Sequence, residues 1–385
     1  MTPALNRAAR AFPLVARPRP ACRPLEERIR EVTGFAGTAT GGADAADRLA
    51  AAAAAQNRAA LIASDCGMPE LAGSLCRQQF ELFMCARPLT ARTARYALEP
   101  LVNLSRLRMR AGNPEAACNQ LGELYRAVRM REPARIDGRE LPLGELTGSG
   151  GEHRDLCQWL WGVVLADGIR ALATAGRWEQ AAAFAQQHRG VGRRLLDGRQ
   201  AAIITQALGG DPEAALATLE QSTAPETWEQ AVAACLTMFC LHAAGHPPRA
   251  ADTTPVEEYL DLEPNPALAT FRVRMALNAV CLYGAEAPTH GEPIVSRIVS
   301  EVLNVEDGYV ARDLLRHHDL KGRLTAAQQA HLASTVQSAG LGRGAIPEPL
   351  STELSAAAEE SRRATAEIIH RSKLSSSSKE TSLLR

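Results

Sequence analysis

Apolar positions recur at helical intervals over most of this chain. Ala117, Leu121, Leu124, Tyr125 and Val128 follow one another at i, i+4, i+7, i+8 and i+11, which lays one apolar stripe along an α-helix. Leu98, Leu101, Val102 and Ser105 share a face in the preceding segment. Leu156, Leu160, Val163 and Asp167 do so in a later one, where Trp159 and Trp161 widen the stripe. The run Ala50 to Ala55 favours helix by propensity alone. Period-2 alternation, the mark of a half-buried strand, is nearly absent. The expected fold class is all-α.

Between the helical stretches one turn pattern returns five times. It is a glycine, often a proline or an aromatic two residues on, then an alanine five residues after the glycine. The pairs are Gly67 with Ala72, Gly112 with Ala117, Gly176 with Ala181, Gly210 with Ala215, and Gly245 with Ala250. Glycine takes the left-handed conformation that ends one helix. Asn113 or Asp211 caps the next helix, and Pro114 or Pro212 fills its first position, where a missing N–H costs nothing. Glu115 and Glu213 complement the helix dipole. The alanine lets two antiparallel helices approach closely.

The glycines are spaced 45, 64, 34 and 35 residues apart, close to one or two helical-hairpin periods. Over roughly residues 45–250 these stretches, Gly176-Arg177-Trp178-Glu179-Gln180-Ala181 and Gly210-Asp211-Pro212-Glu213-Ala214-Ala215 above all, resemble the turn of tetratricopeptide repeats. Leu124 and His188 depart from that pattern where it has a small residue, whereas Ser222 fits. The resemblance implies an α-solenoid of antiparallel helical hairpins whose partner is another protein or a peptide segment. It supplies no activity and no cofactor.

Composition narrows the function classes. Lys+Arg and Asp+Glu are equal at 43 each, so no broad basic surface for nucleic acid exists. Forty of the 43 basic residues are Arg, Lys occurring only at Lys321, Lys373 and Lys379; with abundant Ala and Gly this has the look of a GC-rich, actinobacterial coding sequence. No run reaches the ~18 consecutive apolar residues that span a bilayer, so no membrane is expected. Nine cysteines without a Cys-x-x-Cys pair read as small hydrophobes of a reducing cytoplasm, with no disulfide framework or metal site.

The expected organisation is a basic, Pro/Arg-rich flexible leader over residues 1–40 and an N-terminal helical-repeat block over 41–131. A Gly/Pro-rich connector at 132–151 precedes central repeats over 152–250. A C-terminal helical block covers 251–345, and a polar, largely disordered tail 346–385. Further breaks are expected at 245–266 and 284–293. Asn57, Asn103 and Gln206 are expected on helices lining one concave groove, where amides suit an extended peptide. Arg95, Arg106 and Arg110 read as a solvated face, with an acidic-ligand clamp as the sharper alternative. Asp167, a polar residue in an apolar run, is expected to pair with Arg170 at i+3 or to anchor a ligand.

The leading expectation is therefore a protein- or peptide-binding scaffold or regulatory module without catalytic residues, for which an oligomer is compatible. The alternative is a helical enzyme or accessory protein of a biosynthetic pathway, with residues 132–151 as a lid. Its best residues would be Asp167, His153 and a His317–Asp313 pair. Glu152 and Asp155 read as ordinary helix-start acids, and His242 and His246 as separated by a helix break.

Overall fold

The computed structural model describes residues 2–41, 44–246, 252–283 and 291–383. Ala250, and residues 284–290 of the expected break at 284–293, lie outside them. Among the described residues the secondary structure is helical apart from one small hairpin, β1 (Ala134–Ile136) paired antiparallel with β2 (Arg139–Leu141). It divides into two compact units, Met1–Arg23 with Leu165–Ala339, and Pro24–Val164 with Gly340–Arg385.

The unit containing Pro24–Val164 begins with α2 (Leu25–Gly41), α3 (Ala45–Asp65), α4 (Pro69–Met84), α5 (Ala91–Arg110) and α6 (Pro114–Met130), each packed on the next. It also holds the hairpin and the first part of α7 (Gly150–Thr174), the helix inside which the chain divides. Its last helix, α17 (Leu350–Leu383), returns to lie on α2, α3 and α4. The core is Leu25, Ile29 and Val32 of α2 with Ala55, Ala59 and Ile62 of α3 and Leu354, Ala357 and Ala358 of α17.

The other unit holds α1 (Pro3–Arg10), the end of α7, α8 (Trp178–Gln187), α9 (Asp197–Leu208), α10 (Pro212–Glu220), α11 (Thr227–Ala243) and α12 (Thr254–Asp261). It continues through α13 (Ala269–Tyr283), α14 (Glu292–Leu303), α15 (Gly308–Arg316) and α16 (Ala326–Ser338). Successive helices pack on one another from α8 to α16, with α1 seated on α11 and α13.

The five turn glycines all have positive φ, between 75° and 91°. Asn113 and Asp211 accept hydrogen bonds from the backbone N–H of Ala116 and Ala214 at 3.1 and 3.0 Å, capping α6 and α10. Ala72, Ala117, Ala181 and Ala215 are all buried, as close helix approach requires.

The structure differs from four expectations about organisation. The first 40 residues are not a flexible leader. Thr2 caps α1, Asn278 donates to the Ala8 carbonyl at 2.7 Å, and the Cys22 N–H donates to Asp307 at 3.0 Å. Prolines keep Phe12–Pro24 out of a helix, but tertiary hydrogen bonds hold it all the same. Nor is the tail disordered from residue 346. Leu354, Ala357, Ala358, Ser361, Ala364, Thr365 and Ile368 form a buried stripe on α17, and Thr365 accepts from Gln56 at 3.4 Å. Finally, the unit boundary falls within α7 rather than at residues 132–151, which form the β-hairpin and the start of α7. Residues 245–266, expected to be a break, include α12. By length and composition alone α7 is apolar enough to cross a membrane, and half of its most apolar stretch is buried in the fold.

One close approach makes a direct prediction. A Cβ on Gly168 of α7 would lie 2.3 Å from Cε1 of Phe184 on α8, inside any real contact distance. Gly168→Ala is expected to destabilise the protein by about 1–3 kcal/mol through overpacking. Adding Phe184→Leu should recover part of that loss, as read by urea unfolding. Equal stability of Gly168→Ala and the parent would show that the two helices separate freely.

Candidate functional site

A cavity of about 430 Å³ opens in the unit containing Pro24–Val164, between α3, α4, α5 and the first part of α7. That volume lies in the range of ordinary ligand pockets. Its apolar lining comes from Leu61, Val102, Leu107, Trp159 and Val163, with Ala60, Ala72 and Cys76. Burial pushes the Cys76 thiol up to about 12, so it stays protonated and unreactive.

Across this apolar lining runs a directional chain of hydrogen bonds. Arg106 Nη1 donates to Asn103 Oδ1 at 2.9 Å, Asn103 Nδ2 to Asn57 Oδ1 at 3.2 Å, and Asn57 Nδ2 to Glu99 Oε2 at 2.8 Å. The two amides thus link a guanidinium to a carboxylate with their dipoles aligned, an arrangement in which each bond polarises the next. Helix geometry explains the alignment. Glu99, Asn103, Arg106 and Arg110 stand at i, i+4, i+7 and i+11 on α5, on a different face from the buried Leu98, Leu101 and Ser105. On α3, Asn57, Leu61 and Ser64 repeat that spacing toward the same cavity.

Electrostatics differ between the two ends. Burial raises the Glu99 carboxyl above the usual carboxylate range; the hydrogen bond from Asn57 and the charges of Arg106 and Arg95 offset this only in part. At the basic end, Arg106 and Arg110 are exposed and Arg58 half-buried. Arg58 pairs with Glu31 at 2.5 Å, and Arg110 with Asp65 at 3.1 Å. Arg95 stacks over the Trp159 ring, 5.8 Å from its centroid.

Of the expected ligand-binding residues, the structure brings together Asn57, Asn103 and Arg106. Asp167, Arg170 and Gln206 belong to the other unit and are not among the residues lining this cavity. Arg170 sits in a network rather than a simple i, i+3 pair, in the field of Asp197 and Asp167 and of Arg17 and Arg274. Burial is the largest influence there and pulls it down to about 10, still charged at neutral pH. Asp197 is taken by Arg17 at 3.1 Å. The residues that reading of the sequence missed are Glu99, Arg58 and Trp159. The polar i, i+4, i+7, i+11 stripe on α5 was the signal that could have found Glu99.

Asp313, His317 and His153, named for a catalytic alternative, each have other neighbours within their own unit. Asp313 pairs with Arg274 at 3.1 Å, whereas the acidic neighbour of His317 Nδ1 is Asp319 Oδ2 at 3.9 Å. Burial lowers the His317 imidazole below its ordinary value, with the Asp319 carboxylate opposing. His153 Nε2 lies 3.5 Å from the Cys157 thiol, which burial raises away from thiolate. No cluster of three or more metal-ligating side chains occurs among the described residues. No family model, curated protein or solved structure matches the chain.

Proposed function

We propose that this chain is a binding module of tetratricopeptide-like helical hairpins that takes an extended peptide segment of another protein. The segment would lie in the groove formed by α3, α4, α5 and α7. The observation that carries the reading is the Asn103–Asn57 amide chain across an apolar cavity. An extended backbone has unpaired N–H and C=O groups every residue, and fixed side-chain amides over an apolar lining are suited to satisfy them while pockets take alternate side chains. Consecutive packing of α2 through α6, with glycine turns between α3 and α4 and between α5 and α6, supports a stacked-hairpin architecture for that unit. The His and Asp residues named for an enzymatic reading offer it no comparable support.

Selection of a random peptide library on the full-length protein tests the proposal. Peptides are expected to be enriched whose binding falls about tenfold or more in the Asn57→Ala/Asn103→Ala double variant, two lost hydrogen bonds being enough for that. Far-UV circular dichroism should stay unchanged. Selection of nothing, or of peptides that bind the double variant equally well, would overturn it.

A further inference from the structure

Three arginines line the cavity, Arg58, Arg106 and Arg110, against a single carboxylate, Glu99. Their positions are not equivalent. Arg106 and Arg110 are exposed at the mouth, whereas Glu99 is less exposed and linked to Arg106 through the two amides. A carboxylate docking on the mouth arginines would meet the Glu99 charge across a poorly solvated, apolar space, where like charges repel far more than in water. Relief comes only if Glu99 gives up its charge.

Resting on the peptide-binding reading above, we propose that the groove takes an acidic peptide segment and does so with uptake of one proton. The segment's carboxylates sit on Arg106 and Arg110. One solvent proton goes to the Glu99 oxygen that Asn57 does not hold, and Asn57 keeps its hydrogen bond to the other oxygen. Occupation of Arg106 by the incoming carboxylate also weakens the positive field that favours an ionised Glu99 through Asn103 and Asn57. Ligand binding and protonation therefore reinforce each other by linkage. Burial, which raises the Glu99 carboxyl above the usual carboxylate range, points the same way.

The surrounding groups leave Glu99 as the titrating member of this site. On its own helix, α5, it feels the charges of Arg95 and Arg106. From α3, Arg58 is engaged by Glu31, and Asp65 lies between Arg28 and Arg110. From α4 the titratable side chain is Cys76, protonated up to about 12. From α7 the lining is Trp159 and Val163, neither of which titrates.

The test uses the full-length protein and rhodamine-labelled hexapeptides alternating leucine with aspartate, asparagine or lysine, followed by fluorescence anisotropy at low salt between about pH 5 and pH 8. The aspartate peptide is expected to bind at least about tenfold tighter than the other two at the acid end. Its Kd should weaken by up to about tenfold per pH unit above the Glu99 titration, as one coupled proton requires. In Glu99→Gln, which keeps an acceptor for Asn57, that pH dependence should flatten to within about twofold while tight binding persists. Arg106→Ala should abolish the preference for aspartate. If the aspartate peptide binds and requires Asn57 and Asn103, yet shows the same pH profile in Glu99→Gln as in the parent, proton coupling is wrong and peptide binding stands. Preference for the lysine peptide would overturn the acidic assignment. Binding of no peptide at any pH would overturn the peptide-binding reading itself.

Discussion

Replacing Glu301 by alanine is expected to lower the free energy of unfolding by about 3–5 kcal/mol, among the largest losses available to a single substitution in this chain. The reason lies with its partner. Arg272 of α13 is 2% exposed, one of the largest fully buried side chains. Glu301 of α14 receives both its Nε and its Nη2 at 2.9 Å, a bidentate pair. Two further donated bonds go to the last turn of α12, Nη1 to the Tyr259 carbonyl at 3.0 Å and Nη2 to the Leu260 carbonyl at 3.1 Å. One guanidinium thereby ties three helices together. Without Glu301 it stays charged, stays buried and keeps only neutral acceptors. Glu301→Gln should cost less, because an amide oxygen still accepts one hydrogen bond. The double variant Arg272→Met/Glu301→Leu should be less destabilised than Glu301→Ala, since it removes the buried charge altogether. It should not return to parental stability, because two α12 carbonyls lose their donor at roughly 1–3 kcal/mol each. Urea unfolding followed by circular dichroism measures all three. A loss below about 1 kcal/mol for Glu301→Ala would mean that water reaches the guanidinium in the folded protein.

The helices of this protein could be read from its sequence because their apolar residues recur with helical period and their turns carry strong local chemistry. Gly112-Asn113-Pro114 and Gly210-Asp211-Pro212 each contain a left-handed helix end, a cap and a first-turn proline, so local energetics alone settle those corners. What escaped was decided by tertiary contact. The apolar stripe of α17 is built largely from Ala357, Ala358, Ser361, Ala364 and Thr365, which look polar or neutral in sequence but are small enough to bury against α2 and α3. Phe12–Pro24 has no periodicity to detect. Its order comes from single long-range bonds such as the Arg19 N–H to the Ala267 carbonyl at 2.8 Å and the Gly308 N–H to the Cys22 carbonyl at 2.8 Å. The candidate site was half legible for the same reason. Asn57, Asn103 and Arg106 stood out as polar residues on helical faces, but their partner Glu99 was hidden among apolar neighbours. Gln206 and Asp167 looked equivalent to them in sequence, yet they lie in the other unit.

Substituting Asp65 should move stability and ligand binding in opposite directions. Asp65, at the end of α3, is buried with its side chain 2% exposed, and it bridges two arginines. Arg28 of α2, itself 8% exposed, approaches at 2.5 Å, and Arg110 of α5 at 3.1 Å. Asp65→Ala takes the carboxylate from a guanidinium that cannot reach solvent, so a loss of about 3–5 kcal/mol is expected, with Asp65→Asn retaining part of it through its amide oxygen. Arg110 responds differently. It is 39% exposed, and its loss as Arg110→Ala should cost no more than about 1 kcal/mol because water replaces the pair. Arg110 also lines the groove, where Asp65 now neutralises part of its field. In Asp65→Asn the groove becomes more positive by one charge, so an aspartate-containing peptide should bind several-fold tighter even as the fold weakens. Denaturation in urea and anisotropy in its absence read the two effects separately. Should affinity fall along with stability, Asp65 would instead be holding Arg110 in the geometry that receives the ligand, and charge balance would not be what governs binding at that end of the groove.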